Sequence, residues 1–176
     1  MNRNAMLILA ASLAATVAGS AALSAQTANP MSTEARQAYT GIKNNLLKMA
    51  EKMPEENYAF KPTPEIRSFG QLIGHVADSQ LRTCSAVKGE MKTGTAGTKT
   101  SKADLVAALK ESIAECDAAY DSLTDATATD MIKTARGQRT KLGALVGNTT
   151  HSNEEYGYMS VYLRLKGVVP PSSEAK

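Results

Sequence analysis

The chain contains two histidines, His75 and His151, and Glu155 follows the second of them by four residues. Residues four apart on an α-helix share a face, so the side chains of His151 and Glu155 point the same way if this stretch is helical. Imidazole suits zinc, nickel, copper or iron, and a site with two histidines and one carboxylate leaves coordination positions open for water or substrate. These three residues are therefore candidate ligands of a divalent metal.

The same residues have a simpler interpretation, because a histidine and a glutamate four apart are common on exposed helices. At 100° per residue, His151 and Glu155 lie roughly opposite the apolar stripe of their helix, together with Tyr158 and Tyr162, which are candidate substrate contacts. His75 lies to one side of the apolar stripe of its own helix. The stripe opposite His151 consists of Leu142, Leu145, Val146, Thr149, Tyr156 and Leu163. Spacing alone leaves both a solvated surface and a metal-binding cleft open.

Four helical segments must position these side chains. Apolar residues recur at helical spacing over about 33–53, from 68 to about 87, from 101 to about 123 and over about 140–166. Ser68 and Gln71 form a capping box at the start of the second segment. We interpret 88–102, rich in Gly, Thr and Lys, as a flexible connector, and no alternating pattern predicts a strand. The prediction is an all-α four-helix bundle.

The N-terminus has the three parts of a secretory signal peptide. One positive charge at Arg3 precedes an apolar run from Ala5 to about Ala18, and small residues follow through Ala25. The run is shorter than the roughly 20 apolar residues of a membrane span. We predict a signal peptide over 1–25 with cleavage at about 24–28, no membrane span after its removal, and a periplasmic or secreted protein.

The rest of the chain, about 150 residues, has the usual size of one domain. We predict that residues 30–171 form the bundle and that residues 172–176 are a flexible tail. Without Arg3 there are 19 basic and 17 acidic residues, since 20 basic residues occur in the whole chain. This balance and the absence of tryptophan give no support for a nucleic-acid partner.

Three blocks of the sequence, MPEENYAFKPTPEIRSFGQLIGHVADS, NTTHSNEEYGYMSVYLRLKG and the closing GVVPPSS, carry a family resemblance. In this order and spacing they resemble the DinB-like (DinB/YfiT) family of metal-binding four-helix bundles, and the resemblance extends over nearly the whole predicted mature chain. The resemblance implies an up-down-down-up bundle and a metal bound by a second-helix histidine, which matches His75. It also implies an H-x-x-x-H pair on the fourth helix. His151 matches its first member, and Glu155 replaces its second histidine.

The family includes metal-dependent transferases that use low-molecular-weight thiols, and relatives of maleylpyruvate isomerase. Those thiols are cytosolic, whereas this chain carries an export signal, so thiol transfer is not carried over. A metal with open positions activates water and polarises carbonyl or phosphoryl groups. We therefore expect a divalent metal (zinc, nickel or iron) and a hydrolase or group transferase that acts on an unidentified small molecule outside the cytoplasm. The alternative is a non-enzymatic bundle that binds a metal or small ligand, or that forms a homodimer through exposed apolar faces.

The two cysteines, Cys84 and Cys116, are either a disulfide or two buried thiols. An exported chain meets an oxidising compartment, where disulfides persist. In the topology that the resemblance implies, the second and third helices are parallel, and each cysteine lies about 23 Å along its helix. With that topology we predict a disulfide. A catalytic role is not expected, because both residues lie in apolar helical contexts.

Overall fold

The computed structural model describes residues 29–174, which form four long helices and a short β-hairpin. The predicted signal peptide and the last two residues of the predicted tail lie outside the described residues. No described helix combines the length and the apolar character needed to cross a membrane. The elements are α1 Pro30–Lys52, α2 Phe69–Val87, α3 Lys102–Ser122, β1 Met131–Thr134, β2 Gly137–Thr140 and α4 Lys141–Leu165.

The helices begin where a side chain can accept hydrogen bonds from the first free backbone N–H groups. The Ser68 hydroxyl accepts from the backbone N–H of Gln71, and the Gln71 side chain accepts from the backbone N–H of Ser68, which completes the predicted capping box. Ser101 caps α3 and Thr140 caps α4. At α1 the acceptor is distant in sequence, because the Asp125 carboxylate accepts from the backbone N–H groups of residues 31 and 32.

Contacts between α2 and α3 show that these helices run parallel. Gln80, in the middle of α2, accepts a hydrogen bond from Ser112, in the middle of α3. Four residues further along each helix, Cys84 of α2 is bonded to Cys116 of α3. The two contacts occur in the same order along both helices, so α2 and α3 run in the same direction.

The remaining contacts fix the directions of α1 and α4. Tyr162, near the end of α4, donates to the backbone carbonyl of Arg67, just before α2, so α4 is antiparallel to α2. Lys102, at the start of α3, donates to the backbone carbonyl of Glu51, near the end of α1, so α1 is antiparallel to α3. The topology is up-down-down-up, and the predicted fold class is confirmed.

One hydrophobic core lies between the helices. Within it, Tyr39 of α1 stacks on Tyr120 of α3 with ring centroids 4.1 Å apart. Each fully buried large apolar side chain stabilises the fold by about 1.5–3 kcal/mol relative to exposure. The largest fully buried side chains are Tyr39, Tyr120, Phe69, Leu46, Met49, Met53, Ile73, Leu105, Leu109, Leu145, Met159 and Leu163.

A buried glutamine links three helices in the middle of this core. The Gln80 side-chain amide donates to the Ser152 hydroxyl of α4 and accepts from the Ser112 hydroxyl of α3, each at 3.2 Å. All three side chains are buried, so the loss of one partner would leave an unpaired polar group in the core. The network therefore fixes the position of α4 against α2 beside His151, which precedes Ser152.

The hairpin is absent from the sequence prediction, which contained no strand. The antiparallel pairing extends from Met131 opposite Thr140 to Thr134 opposite Gly137, so the turn is two residues long. Gly137 has a φ of +100°, which favours glycine, and the Thr134 hydroxyl donates to the Gly137 carbonyl. Every residue of both strands is exposed or half-buried, so the hairpin has no strongly apolar face for a sequence pattern to show.

Two segments that we predicted to be flexible make defined contacts. In the connector, the Asp78 carboxylate accepts from the backbone N–H groups of Ala96 and Gly97 at 2.8 and 2.9 Å, and Ala96 is buried. In the tail, the Tyr156 hydroxyl accepts from the backbone N–H of Ser172 at 2.9 Å. These partners are at least 16 residues away in sequence, so local composition does not show them.

The Cys84–Cys116 disulfide is fully buried and joins residues 32 apart in sequence. Replacing both cysteines with alanine should destabilise the fold by about 2–4 kcal/mol, because the cross-link restricts the unfolded chain. Urea unfolding of the wild type and the double variant, without reductant, measures the difference. Equal stability of the two proteins would contradict a structural role, as would two free thiols in the native protein.

Gly74 lies where the connector crosses α2. A Cβ at this position would be 2.7 Å from the backbone oxygen of Ala96. We expect Gly74→Ala to destabilise the fold by about 1–3 kcal/mol, because backbone must move to relieve the contact. Gly157→Ala is the matched control: this glycine is exposed on α4, a Cβ there would meet nothing within 4 Å, and alanine should stabilise the helix by up to about 1 kcal/mol. Equal urea midpoints for both variants would refute this account of Gly74.

Candidate metal centre

The three candidate ligands come together between α2 and α4. His75 lies on α2, and His151 and Glu155 lie one turn apart on α4. The hydrogen bond from Gln80 to Ser152 holds the two helices together beside them. Among the described residues, no other group of three His, Cys, Asp or Glu side chains offers ligand atoms this close together.

The three ligand atoms form a nearly equilateral triangle. The Nε2 atoms of His75 and His151 are 3.1 Å apart, and each lies 3.5 Å from Oε1 of Glu155. The centre of a triangle with these three sides is about 2.0 Å from each corner. Zinc binds imidazole nitrogen at about 2.0–2.1 Å and carboxylate oxygen at about 2.0–2.2 Å. The present positions of the atoms therefore fit one small divalent cation without rearrangement.

Two buried polar atoms of this cluster lack partners. Oε2 of Glu155 and Nδ1 of His151 have no hydrogen-bond partner within residues 29–174. The Glu155 residue is only 5% exposed. A buried carboxylate without donors is costly unless a cation compensates it. The orphaned carboxylate oxygen is thus a second observation in favour of a bound cation.

Burial also sets the protonation of the cluster. It lowers the pKa of His75, with Arg67 contributing further, and it lowers the pKa of His151. The same burial raises the pKa of Glu155, which Arg67 partly opposes. The imidazoles are consequently neutral at pH 7, which is the form that binds metals, and their contacts with Glu155 are not ion pairs.

The helical stripe predicted for α4 is partly wrong. Val146 is exposed, whereas Glu155 and Tyr162, predicted to lie opposite the stripe, are buried. Helix α4 packs against both α2 and α3, and polar side chains such as Asn148 and Ser152 belong to its buried surface. The predicted stripe therefore covers only part of the buried surface of α4. The two histidines are half-buried, between the core and the surface.

An apolar pocket of about 640 Å³ opens next to Glu155. Both tyrosines proposed as substrate contacts line it. Tyr162 is buried and donates to the backbone carbonyl of Arg67, whereas Tyr158 is exposed and donates to the Glu154 carboxylate at 3.0 Å. The pocket lining is completed by Pro62, Glu65, Ile66, Arg67, Leu72, Glu155 and Val161.

A second, smaller pocket of about 90 Å³ lies on the His151 side of the cluster. Three arginines line it: Arg82 from α2, Arg136 from the hairpin turn and Arg139 from β2. Sequence reasoning missed all three, because the hairpin that carries two of them was not predicted. The available signal was the glycine in TARGQRT, which is typical of a short turn between strands.

Residues 38–159 match the DinB superfamily. A DinB-like protein from Bacillus cereus has a similar structure, with a TM-score of 0.66 and 18% identity over 78% of this chain and 93% of that chain. A DinB-like protein from Bacillus subtilis gives 0.61 and 20% over 76% and 92%. A mycothiol-dependent maleylpyruvate isomerase gives 0.55 and 18% over 73% and 59%.

No curated protein sequence gives a significant match to this chain. The structural similarities, at 20% identity or less, concern the fold. The family match spans most of the described residues and includes His75, His151 and Glu155. The chain belongs to the DinB superfamily.

Proposed function

We propose that His75, His151 and Glu155 bind a divalent transition metal, and that the protein is a metal-dependent hydrolase or group transferase acting outside the cytoplasm. One observation carries the proposal: ligand atoms from two helices converge around a point about 2.0 Å from each of them, given their separations of 3.1, 3.5 and 3.5 Å. Two imidazoles with one carboxylate suit zinc, nickel or iron.

The chemistry follows from the incomplete ligand set. A metal with three protein ligands keeps positions open, where it supplies Lewis acidity and lowers the pKa of bound water. The carboxylate of Glu155 reduces the net charge of the site relative to three histidines. Glu155 also lines the 640 Å³ pocket, so a substrate bound there would lie against the cluster.

The apolar pocket gives a place for the body of the substrate. Leu72, Ile66 and Val161 supply apolar walls, which exclude water and favour a substrate with an apolar portion. Tyr158 and Tyr162 lie on the α4 side of the same pocket. Tyr158 is the better placed of the two to contact a substrate, because it is exposed, whereas Tyr162 is buried.

Two observations support a site of action outside the cytoplasm. The N-terminal residues have the composition of an export signal, and the buried disulfide is of the kind that persists in oxidising compartments. One structural neighbour is a mycothiol-dependent isomerase, so this bundle fold is compatible with catalysis. We do not extend its thiol cofactor to this chain, because such thiols are cytosolic.

The alternative is a bundle that binds a metal or small ligand without turnover. One observation favours it: Glu154, the carboxylate next to the cluster in sequence, is exposed and accepts a hydrogen bond from Tyr158. It does not join the ligand cluster and is not placed as a general base. Under this alternative the pocket would hold its ligand unchanged.

The metal content of variants tests the ligand assignment. Protein purified without a histidine tag should contain about one metal ion per chain, and His75→Ala and Glu155→Gln should lose most of it, because each removes a ligand. Glu154→Gln is the matched control, since it makes the same change at the neighbouring exposed position. Inductively coupled plasma mass spectrometry gives the stoichiometry. Full metal content in Glu155→Gln, or equal losses in both glutamine variants, would remove Glu155 from the site.

An activity screen separates the enzyme from the binding protein. The metal-loaded protein should turn over at least one class among ester, amide and thiol-acceptor substrates. Chelation should abolish this activity and added metal should restore it, because the open coordination positions carry the chemistry. The measurement is product formation by mass spectrometry, with His75→Ala as the background control. Saturable binding without any product would favour the alternative.

A further inference from the structure

The small pocket beside His151 carries a concentrated positive charge. Arg82 is half-buried, and Arg136 and Arg139 reach the same 90 Å³ hollow from the hairpin. None of the residues that line this pocket is acidic. In the described part of the chain, none of the three guanidinium groups has a carboxylate within 4.0 Å, whereas Arg36, Lys43 and Lys141 are each paired with an aspartate.

Local contacts order the hairpin that carries two of the arginines. The Thr134 hydroxyl accepts from the backbone N–H of Arg136 at 3.2 Å and so orders the hairpin turn. Arg139 lies across α4, where a Cβ on Gly147 would be 3.4 Å from its Nη1 atom. The Arg139 side chain therefore lies at van der Waals distance from α4 at this position. Arg82 joins them from α2, where it lies about two turns after His75 on nearly the same helix face.

Like charges gathered in one hollow repel each other, and an anion relieves that repulsion. Guanidinium groups bind carboxylate and phosphoryl oxygens through paired hydrogen bonds. The hydroxyls of Ser79 and Thr83 line the same pocket and can donate to the same oxygens. The volume suits a single charged group, whereas the larger apolar pocket lies on the Glu155 side.

We propose that Arg82, Arg136 and Arg139 bind an oxyanion, either a carboxylate or a phosphoryl group, of the small molecule that this protein recognises. The assignment of that molecule as a substrate rests on the proposed function, but anion binding itself does not. The candidate metal centre then lies between an anion-binding subsite, formed by the arginines, and an apolar subsite. The substrate class is an amphipathic acid or phosphate ester, with its charged end at the arginines.

Nuclear magnetic resonance titration of the full chain with inorganic phosphate, and separately with acetate, tests the site. We expect saturable shifts of the amide signals of residues 79–83 and 134–139 with at least one of these anions, and the anion with the lower Kd identifies the source of the oxygens. Arg136→Gln/Arg139→Gln should raise that Kd about tenfold or more, because two charged donors are lost. Both residues are exposed, so the fold should tolerate the change.

Lys133→Gln is the matched control, because it removes one positive charge from the same hairpin at an exposed position outside the pocket. Its Kd should stay within about twofold of wild type. The proposal is overturned if wild type binds neither anion, if the double arginine variant binds as well as wild type, or if Lys133→Gln weakens binding equally.

His75→Ala distinguishes this proposal from the metal assignment. We expect anion binding to persist in this variant, since the arginines are unchanged. If binding disappears in His75→Ala and survives in the double arginine variant, the anion was bound at the metal, and the arginine site is refuted. The metal content of wild type is measured independently. Absence of metal would therefore refute the proposed function while leaving arginine-dependent anion binding in place.

Discussion

The carboxylate of Glu155 is buried between two helices, and its Oε1 lies 3.5 Å from Nε2 of His75 and 3.5 Å from Nε2 of His151. Its other oxygen has no hydrogen-bond donor among the described residues. Burial raises the pKa of this carboxyl and lowers that of both histidines, so the cluster alone disfavours charge. A cation bound by all three groups would instead favour the ionised carboxylate and the neutral imidazoles. Its charge compensates that of the carboxylate, and the imidazole lone pairs bind it.

The bundle holds these groups at ligand distance through constraints outside the cluster. Gln80 bonds to α3 and α4, and the disulfide at Cys84 fixes α2 to α3 one turn further along. Gly74 of α2 has no side chain, which allows the backbone of the connector at Ala96 to pack directly against the helix. Rigid helices thus set the separation of His75 from His151, as a site with defined coordination geometry requires. The hairpin contributes Arg136 and Arg139 to the small pocket that His151 also lines.

The four helices and the capping box at Ser68 could be predicted from the sequence because their signals are local. The acceptor at the start of α1 could not, because Asp125 is distant in sequence. The candidate ligands were found from the two histidines of the chain and the spacing of His151 and Glu155, and the family resemblance points to the same three residues. The burial of Glu155 could not be predicted, since the buried surface of α4 includes polar residues that a hydrophobic stripe ignores. The hairpin and the contacts of Asp78 depend on partners distant in sequence or on half-exposed strands, and neither leaves a periodic signal.

The most direct test of the metal centre is an anomalous difference map from a crystal of the metal-loaded protein, recorded at the absorption edge of the bound metal. We predict a single strong peak about 2.0–2.2 Å from Nε2 of His75, Nε2 of His151 and a carboxylate oxygen of Glu155. A map without a peak between α2 and α4, with the two histidine nitrogens still in mutual contact, would contradict the account. A peak bound only by residues elsewhere on the chain would contradict it equally.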